Sequence, residues 1–455
     1  MPDGVGVKSY LYTGLIRQLR SLNHEVQVLH DLNPAVIREV KSVQKVDFKE
    51  IKYTRFLEPL SVRFMREVAC LARLSLFSKI ENNKTIILNW MPNKRTLAKK
   101  LFYFFVELIA KNIKTPGGID AIDKTITIKL ENSQGTKYYK KLFSNHRPDL
   151  IFCTHQRVPE AVFPIIAAQK LGIATATTIF SWDNLPKARL NIRCDYYFVW
   201  SLYMKNEFLK FYPDIKETSI IVSGTPQFNF YRDKDLLIDR ENFAQRFGLD
   251  ASKYWICFSG DDHVTSPHDP IYLEDIAESL SKMDDVQILF REVPTESISR
   301  YQNVLEKYKN IFHVSPEWEK STNWVKAWPR YSDLGIMSSL AAHCLAVCNI
   351  GSTMAHDFAV NDKPCFFINY DVPNNGIWTV KNIYQFQHFR SMGNLDAVGW
   401  IQSREDWYKK MQELILHPTH VAKERRAWYQ KVNAFEVLGG IGQYVEKLTH
   451  LNSKK

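Results

Sequence analysis

From residue 148 onward, two apolar patterns follow one another along the chain in regular succession. Short contiguous apolar runs at 149–154 (DLIFCT), 173–180 (IATATTIF), 195–200 (DYYFVW) and 219–222 (SIIV) read as buried strands. Pro159–Leu171 and Tyr203–Phe211 lie between them and carry helical spacing. A strongly charged stretch at 231–253 interrupts the pattern and ends in the helix-stop sequence Phe247-Gly248-Leu249-Asp250. The alternation then resumes, predicting strands at 255–259, 286–291, 311–314, 344–349 and 365–369, helices at 272–281, 297–308, 333–342 and 353–361, and a helical tail over 406–448. Strands alternating with helices of this length predict βαβ units and parallel sheets. The expected architecture is α/β, with two doubly wound Rossmann-like domains. The first covers 1–235, a linker 236–253, the second 254–405, and C-terminal helices over 406–455 pack back across both.

The first 147 residues are less regular. Their pattern predicts helices at 7–22, 59–77 and 95–112 and strands at 24–30, 85–89 and 124–129. The chain opens on the loop Asp3-Gly4-Val5-Gly6, whereas a doubly wound domain normally begins with a strand that feeds such a loop. Either Met1 lies downstream of the true start, or the first sheet makes do without that strand.

Length supports the two-domain reading, because 455 residues exceed what one hydrophobic core organises. Lys and Arg outnumber Asp and Glu by 60 to 49, which suits phosphate-bearing ligands or an anionic membrane surface, or is a solvated basic surface without a dedicated partner. The basic residues are dispersed and form no recognised module, so nucleic acid is not expected. The seven cysteines include no CxxC pair, and Cys344 and Cys348 sit beside His343 in an apolar run where cysteine acts as a small hydrophobe. That usage fits a reducing, cytoplasmic compartment. The opening MPDGVGVKSY lacks the apolar core of a signal peptide. The longest apolar stretch, 101–110, is broken by Glu107 and is too short for a bilayer, which needs about 20 residues. Asn93-Lys94-Arg95 and Lys99-Lys100 precede it. It therefore reads either as a core helix with a solvated polar face, the commoner fate of an apolar stripe, or as a helix lying on an anionic leaflet.

Candidate chemistry is densest at 344–371, CLAVCNIGSTMAHDFAVNDKPCFFINYD. An apolar strand ends at Asn349, the tight turn Gly351-Ser352-Thr353 follows, and a helix begins that Ser352 or Thr353 can cap. The amides and dipole at such a helix start suit a diphosphate, and Asp357, one turn in, is placed to accept from a ribose diol. A capped strand–turn–helix without a ligand has the same spacing. No GxxxxGK[ST] is present, and no GxGxxG follows a strand, which disfavours P-loop phosphoryl transfer and dinucleotide redox chemistry. The pairs Asp261-Asp262 and Asp284-Asp285 resemble metal-binding carboxylates, but the second lies in the polar turn KMDDVQ.

The 344–371 segment resembles the nucleotide-binding strand–loop–helix of GT-B glycosyltransferases and the related UDP-GlcNAc 2-epimerases. DLIFCTHQRVPEA, IFSWDNLPKAR (179–189), VSGTPQFNFY, FSGDD (258–262) and YQFQHFRSM (384–392) are similar to bacterial surface-polysaccharide glycosyltransferases, so the resemblance spans about 148–445. It implies two domains facing a cleft, with donor on the second and acceptor on the first. Gly351, Ser352 and Thr353 would meet the donor phosphates. Asp357 would meet the ribose, although the superfamily usually has Glu there. Arg291, at a strand end, and His388 and Arg390 would supply positive charge. Asp183, Asp3 and His155 are the candidates for the base that deprotonates the acceptor.

Neither metal nor cofactor is implied. The implied partners are a nucleotide sugar and a glycan or lipid-linked acceptor for surface polysaccharide or lipopolysaccharide, reached from the cytoplasm with peripheral contact at the inner membrane. A sugar-nucleotide epimerase or hydrolase, a polyol-phosphate transferase and a non-catalytic nucleotide-sugar-binding protein stay open as alternatives.

Overall fold

The computed structural model describes residues 1–455 except 295, 320–326, 374, 375, 377, 435, 436, 454 and 455. The strands are β1 (Gln27–His30), β2 (Lys49–Lys52), β3 (Leu150–Cys153), β4 (Ala174–Thr178), β5 (Tyr196–Val199), β6 (Ile220–Val222), β7 (Tyr254–Ser259), β8 (Val286–Arg291), β9 (Ile311–His313), β10 (Trp318–Glu319), β11 (Trp328–Pro329), β12 (Ala346–Asn349), β13 (Cys365–Ile368) and β14 (Gly399–Ile401). Apart from the small antiparallel pair β10–β11, every pairing is parallel, as the strand–helix alternation requires.

The second sheet runs β14-β13-β12-β7-β8-β9. Counted within the domain, this is the doubly wound 3-2-1-4-5-6 order, in which the winding reverses between β7 and β12. β8 and β12 are buried along their whole length and β7 everywhere but its first residue, which explains their contiguous apolar sequences. Cys257, Cys344, Cys348 and Cys365 are all buried, with burial as the leading cause of their raised thiol pKa values. They serve as small hydrophobes in this sheet.

The first domain is built from the four-stranded sheet β3-β4-β5-β6 and the separate pair β1-β2. Among the described residues no strand feeds the Gly loop. Gly4–Gly6 form a 3-10 turn, Val7–Leu11 a single π-helical turn, and Gly14, with φ +77°, resets the backbone before the helix Leu15–Ser21. An apolar slot of about 340 Å³ separates β1 from β3, lined by Val28, Leu29, Leu150, Phe152, Tyr10 and Leu448 among others. It occupies the position that the first strand of a doubly wound order would fill.

Two sequence expectations need correction. The 85–89 segment is a 3-10 helix (Lys84–Asn89) capped by Asn83, whose side chain accepts from the Thr85 amide. The 124–129 segment lies inside the helix Pro116–Glu131. Its alternating TITIK loses to the helical spacing of Ile119, Ile122, Ile126 and Leu130, capped at the start by Thr115-Pro116. The helix Leu97–Ala110 also departs from the expected core role, since only Tyr103, Val106 and Ala110 are buried.

The tail returns to both domains. Helix Arg425–Val432 packs on Met354–Ala359. Helix Val437–Ser453 lies on the first sheet, where the Tyr444 ring stacks on Phe198 at 5.3 Å and its hydroxyl meets Thr178 Oγ1 at 2.7 Å. The domains also touch directly: Asn83 Nδ2 and Thr85 Oγ1 both donate to the Gln385 carbonyl at 3.0 Å. Among the described residues, no helix is long and apolar enough to cross a membrane.

Candidate active site in the interdomain cleft

β7 and β12 flank the reversal of the second sheet, and the loops leaving their carboxyl ends diverge there, which opens a crevice by construction. These loops begin at Gly260-Asp261 and at Ile350-Gly351-Ser352-Thr353. Both line a cleft of about 650 Å³ whose opposite wall, from the first domain, includes Arg157, Trp182, Asp183, Lys187 and Arg189. Gly351 is required: its φ is +68°, and an added Cβ would lie 2.8 Å from the Phe389 ring. Asn349 Oδ1 accepts from the Ser352 amide at 2.9 Å and fixes the turn. Trp182 makes a further contact between the domains, across the cleft. Its Nε1 donates to Thr353 Oγ1 at 3.4 Å, and its ring is caged by His356, His388, Phe389 and Trp428 with centroids 4.6–5.8 Å away.

The residues singled out in the sequence fall into three groups. Gly351, Ser352, Thr353, Asp183 and His388 line the cleft itself. Asp183 is paired with Lys187 and accepts from Asn184 Nδ2 at 2.8 Å. Burial opposes its charge, but Lys187 and then His388 hold it well below the usual carboxylate range, which makes it a weak base. His388 is pushed down to about 4, chiefly by burial, so it is neutral at pH 7.

Asp3 and His155 form the second group, joined by a 2.5 Å hydrogen bond between Asp3 Oδ2 and His155 Nδ1. Asp3 is buried in the Gly loop, which passes so close to the second domain that a Cβ on Gly4 would lie 2.2 Å from the Ala327 carbonyl oxygen. His155 leaves the carboxyl end of β3, two residues before Arg157, and packs on Phe180. With Nδ1 held by a carboxylate, its Nε2 is left for proton transfer.

The third group is committed to protein partners. Arg291 Nη2 donates to both oxygens of Asp333, at 2.8 and 2.9 Å, and both side chains are buried. Asp357 accepts from the Tyr231 hydroxyl at 2.7 Å and is raised by burial, with Lys8 acting against that shift. Arg390 is exposed and reaches the Glu81 carbonyl at 2.7 Å on the first domain.

The cleft also holds two arginines not singled out as site residues in the sequence, and Asp261, which the sequence offered only as half of a carboxylate pair. Arg157, lowered by burial, has no carboxylate ion-pair partner among the described residues, whereas Arg189 is paired with Glu67 at 3.2 Å. Both lie in or beside the quoted motifs, and their signal was a basic residue after each of two neighbouring parallel strands. Asp261 follows β7 into the cleft, and its amide donates to Asp269 Oδ2 at 2.6 Å. Burial, and then Asp269, push Asp261 up to about 7; burial raises Asp269 to about 6. The neighbouring Asp262 instead caps its own turn, accepting from the Val264 and Thr265 amides at 2.9 and 3.0 Å. Among the described residues, no group of three or more His, Cys, Asp or Glu is arranged to hold a metal.

A raised carboxyl pKa favours the fold while it is protonated in both states. That contribution is lost as pH rises from the unfolded value near 4 through the folded value of about 7. Asp261→Asn, which cannot ionise, is therefore expected to gain Tm over the wild type progressively as pH rises from about 4 to about 8, by about 2–4 °C or more across that range. Parallel Tm-versus-pH curves for the two proteins would show that Asp261 does not titrate near neutrality.

No family model matches the sequence, and no curated protein does. Solved structures are similar over nearly the whole chain. A putative UDP-N-acetylglucosamine 2-epimerase from Listeria monocytogenes has a TM-score of 0.57 at 8% identity, covering 100% of this chain and 96% of that one. A UDP-N-acetylglucosamine 2-epimerase has a TM-score of 0.53 at 12% identity, covering 98% and 93%. A glycosyltransferase from Rickettsia africae has a TM-score of 0.52 at 12% identity, covering 98% and 95%.

Proposed function

Because the chain has the GT-B fold, we propose that it is a glycosyltransferase taking a sugar from a nucleotide-sugar donor in the interdomain cleft. The observation that carries this reading is the cleft at the winding reversal of the second sheet, where the Gly351–Thr353 turn faces Arg157 and Lys187 of the other domain. A sugar diphosphate needs that combination of backbone donors and cations in a confined space, and an Arg fork fits its oxygens bidentately. The acceptor oxygen attacks the anomeric carbon, the bond from that carbon to the diphosphate oxygen breaks, and the acceptor proton passes to His155 Nε2. Asp3, hydrogen-bonded to Nδ1, orients the ring. Charge building on the leaving diphosphate is met by Arg157, Lys187 and the turn amides. Asp183 holds Lys187 in place. The acceptor is a glycan or lipid-linked glycan of the cell surface.

The proposal is tested by a thermal-shift screen over UDP-, GDP-, CDP-, CMP- and dTDP-sugars. A donor at about 100 times its Kd adds about 2.7 kcal/mol to stability. No shift with any nucleotide sugar at millimolar concentration would remove the donor site. A second reading, a sugar-nucleotide epimerase, is favoured by the likeness to two such structures along 98–100% of this chain. Incubation with UDP-GlcNAc alone separates the two, since an epimerase converts it without an acceptor.

A further inference from the structure

We propose that the helix Leu97–Ala110 is a membrane-docking element that seats the first domain on an anionic bilayer surface. The helix is apolar on two opposite faces. One face, Tyr103, Val106 and Ala110, is buried against its own domain, and Tyr103 meets Trp90 with ring centroids 5.8 Å apart. The other face carries Leu97, Leu101, Phe104, Phe105, Leu108 and Ile109, exposed by 83, 57, 55, 45, 49 and 42% respectively. Six large apolar side chains turned outward on a 14-residue helix form a patch of the kind that marks an interaction site.

The surroundings of the patch identify the partner by charge. Lys94, Arg95, Lys99 and Lys100 lie at its start and Lys111 and Lys114 just beyond its end. The single acid on the helix, Glu107, is neutralised by Lys94 at 2.8 Å and also accepts from Trp90 Nε1 at 3.1 Å. An apolar strip with aromatic residues and a basic rim matches the interface of an anionic leaflet, into which such helices sink to the acyl boundary. A second copy of this chain would bring the same basic rim against itself, and repulsion disfavours that pairing. The Trp90–Tyr103 and Trp90–Glu107 contacts also fix the helix to the 84–91 segment, whose exposed Leu88 and Met91 line the cleft.

Vesicle flotation of the whole protein tests the inference and needs neither donor nor acceptor, so its outcome is independent of the catalytic reading. Phosphatidylcholine vesicles containing phosphatidylglycerol should carry the protein at low salt. Pure phosphatidylcholine vesicles should carry much less, and molar salt should release the protein. Leu101→Ser/Phe104→Ser should weaken binding at least tenfold, because it removes two inserted side chains. Lys100→Gln/Lys111→Gln should weaken it by about fivefold per charge. All four positions are exposed, so unchanged Tm values serve as the folding control. Wild-type protein that stays at the bottom of the gradient, or Leu101→Ser/Phe104→Ser protein that floats as well as wild type, overturns the inference. So does a wild-type dimer that this double variant splits in sedimentation velocity without any vesicle binding, which would assign the face to a second copy.

Discussion

Asp333→Ala is expected to destabilise the protein by about 3–5 kcal/mol, a large effect for a single polar substitution. Both oxygens of Asp333 accept from Arg291 Nη2, at 2.8 and 2.9 Å; Oδ1 also accepts from the Glu317 amide at 2.8 Å and Oδ2 from Trp318 Nε1 at 3.0 Å. Deleting the carboxylate leaves Arg291, 5% exposed with Nη1 already unpartnered, as an uncompensated charge at the end of β8. Chemical denaturation measures this as a lower midpoint at unchanged slope. A loss under about 1 kcal/mol would mean that Arg291 turns toward solvent once released. Arg291→Met paired with Asp333→Leu should cost less than Asp333→Ala alone, because removing both members avoids the stranded charge.

His155→Ala is expected to lower kcat by a factor of about 10²–10⁴ while leaving the thermal shift produced by the donor intact. The division follows from position: His155 lies just past the carboxyl end of β3 and, like Asp3, is not among the residues that line the cleft beside the Gly351–Thr353 turn. Asp3→Asn should share much of the kcat loss, since it weakens the Asp3–His155 hydrogen bond that orients the imidazole. The double variant should then be little worse than either single one. By contrast, Arg157→Ala should show in the donor shift first. Wild-type turnover in His155→Ala would transfer the base role elsewhere, and Asp261, with its carboxyl near neutrality, would be the next group to test.

The central strands of the second domain were legible in sequence, because β7, β8, β12 and β13 are buried on both faces and so are written as unbroken apolar runs. WICFS, VQILFR and CFFIN mark β7, β8 and β13 to within a residue or two. The short β14, Gly399–Ile401, had too few residues to signal itself. The first domain was harder for a definite reason: its helices expose apolar residues as well as burying them. In Leu97–Ala110 the pattern showed an apolar helix without showing which face was turned inward. The Gly351–Thr353 turn was legible because turn chemistry is local, although the expected Thr353 cap is not formed and only Ser352 Oγ accepts from the Met354 amide, at 3.4 Å. The pairing of Arg291 with Asp333 joins positions 42 apart, and that of Asp3 with His155 joins positions 152 apart. No local rule encodes either partner, so Arg291 read as a spare cation when its charge is already committed.

The gap between β1 and β3 has a mechanical consequence. A continuous ladder of hydrogen bonds makes a sheet stiff, and the second domain has one six strands wide. In the first domain that ladder is interrupted, and the two portions are held together by side-chain packing around Tyr10, Phe152 and the C-terminal Tyr444. Oily contacts slide more readily than backbone pairs shear. The first domain is therefore expected to open locally more readily than the second, which hydrogen exchange would show as faster exchange of the β1 and β3 amides than of those in β7 and β12.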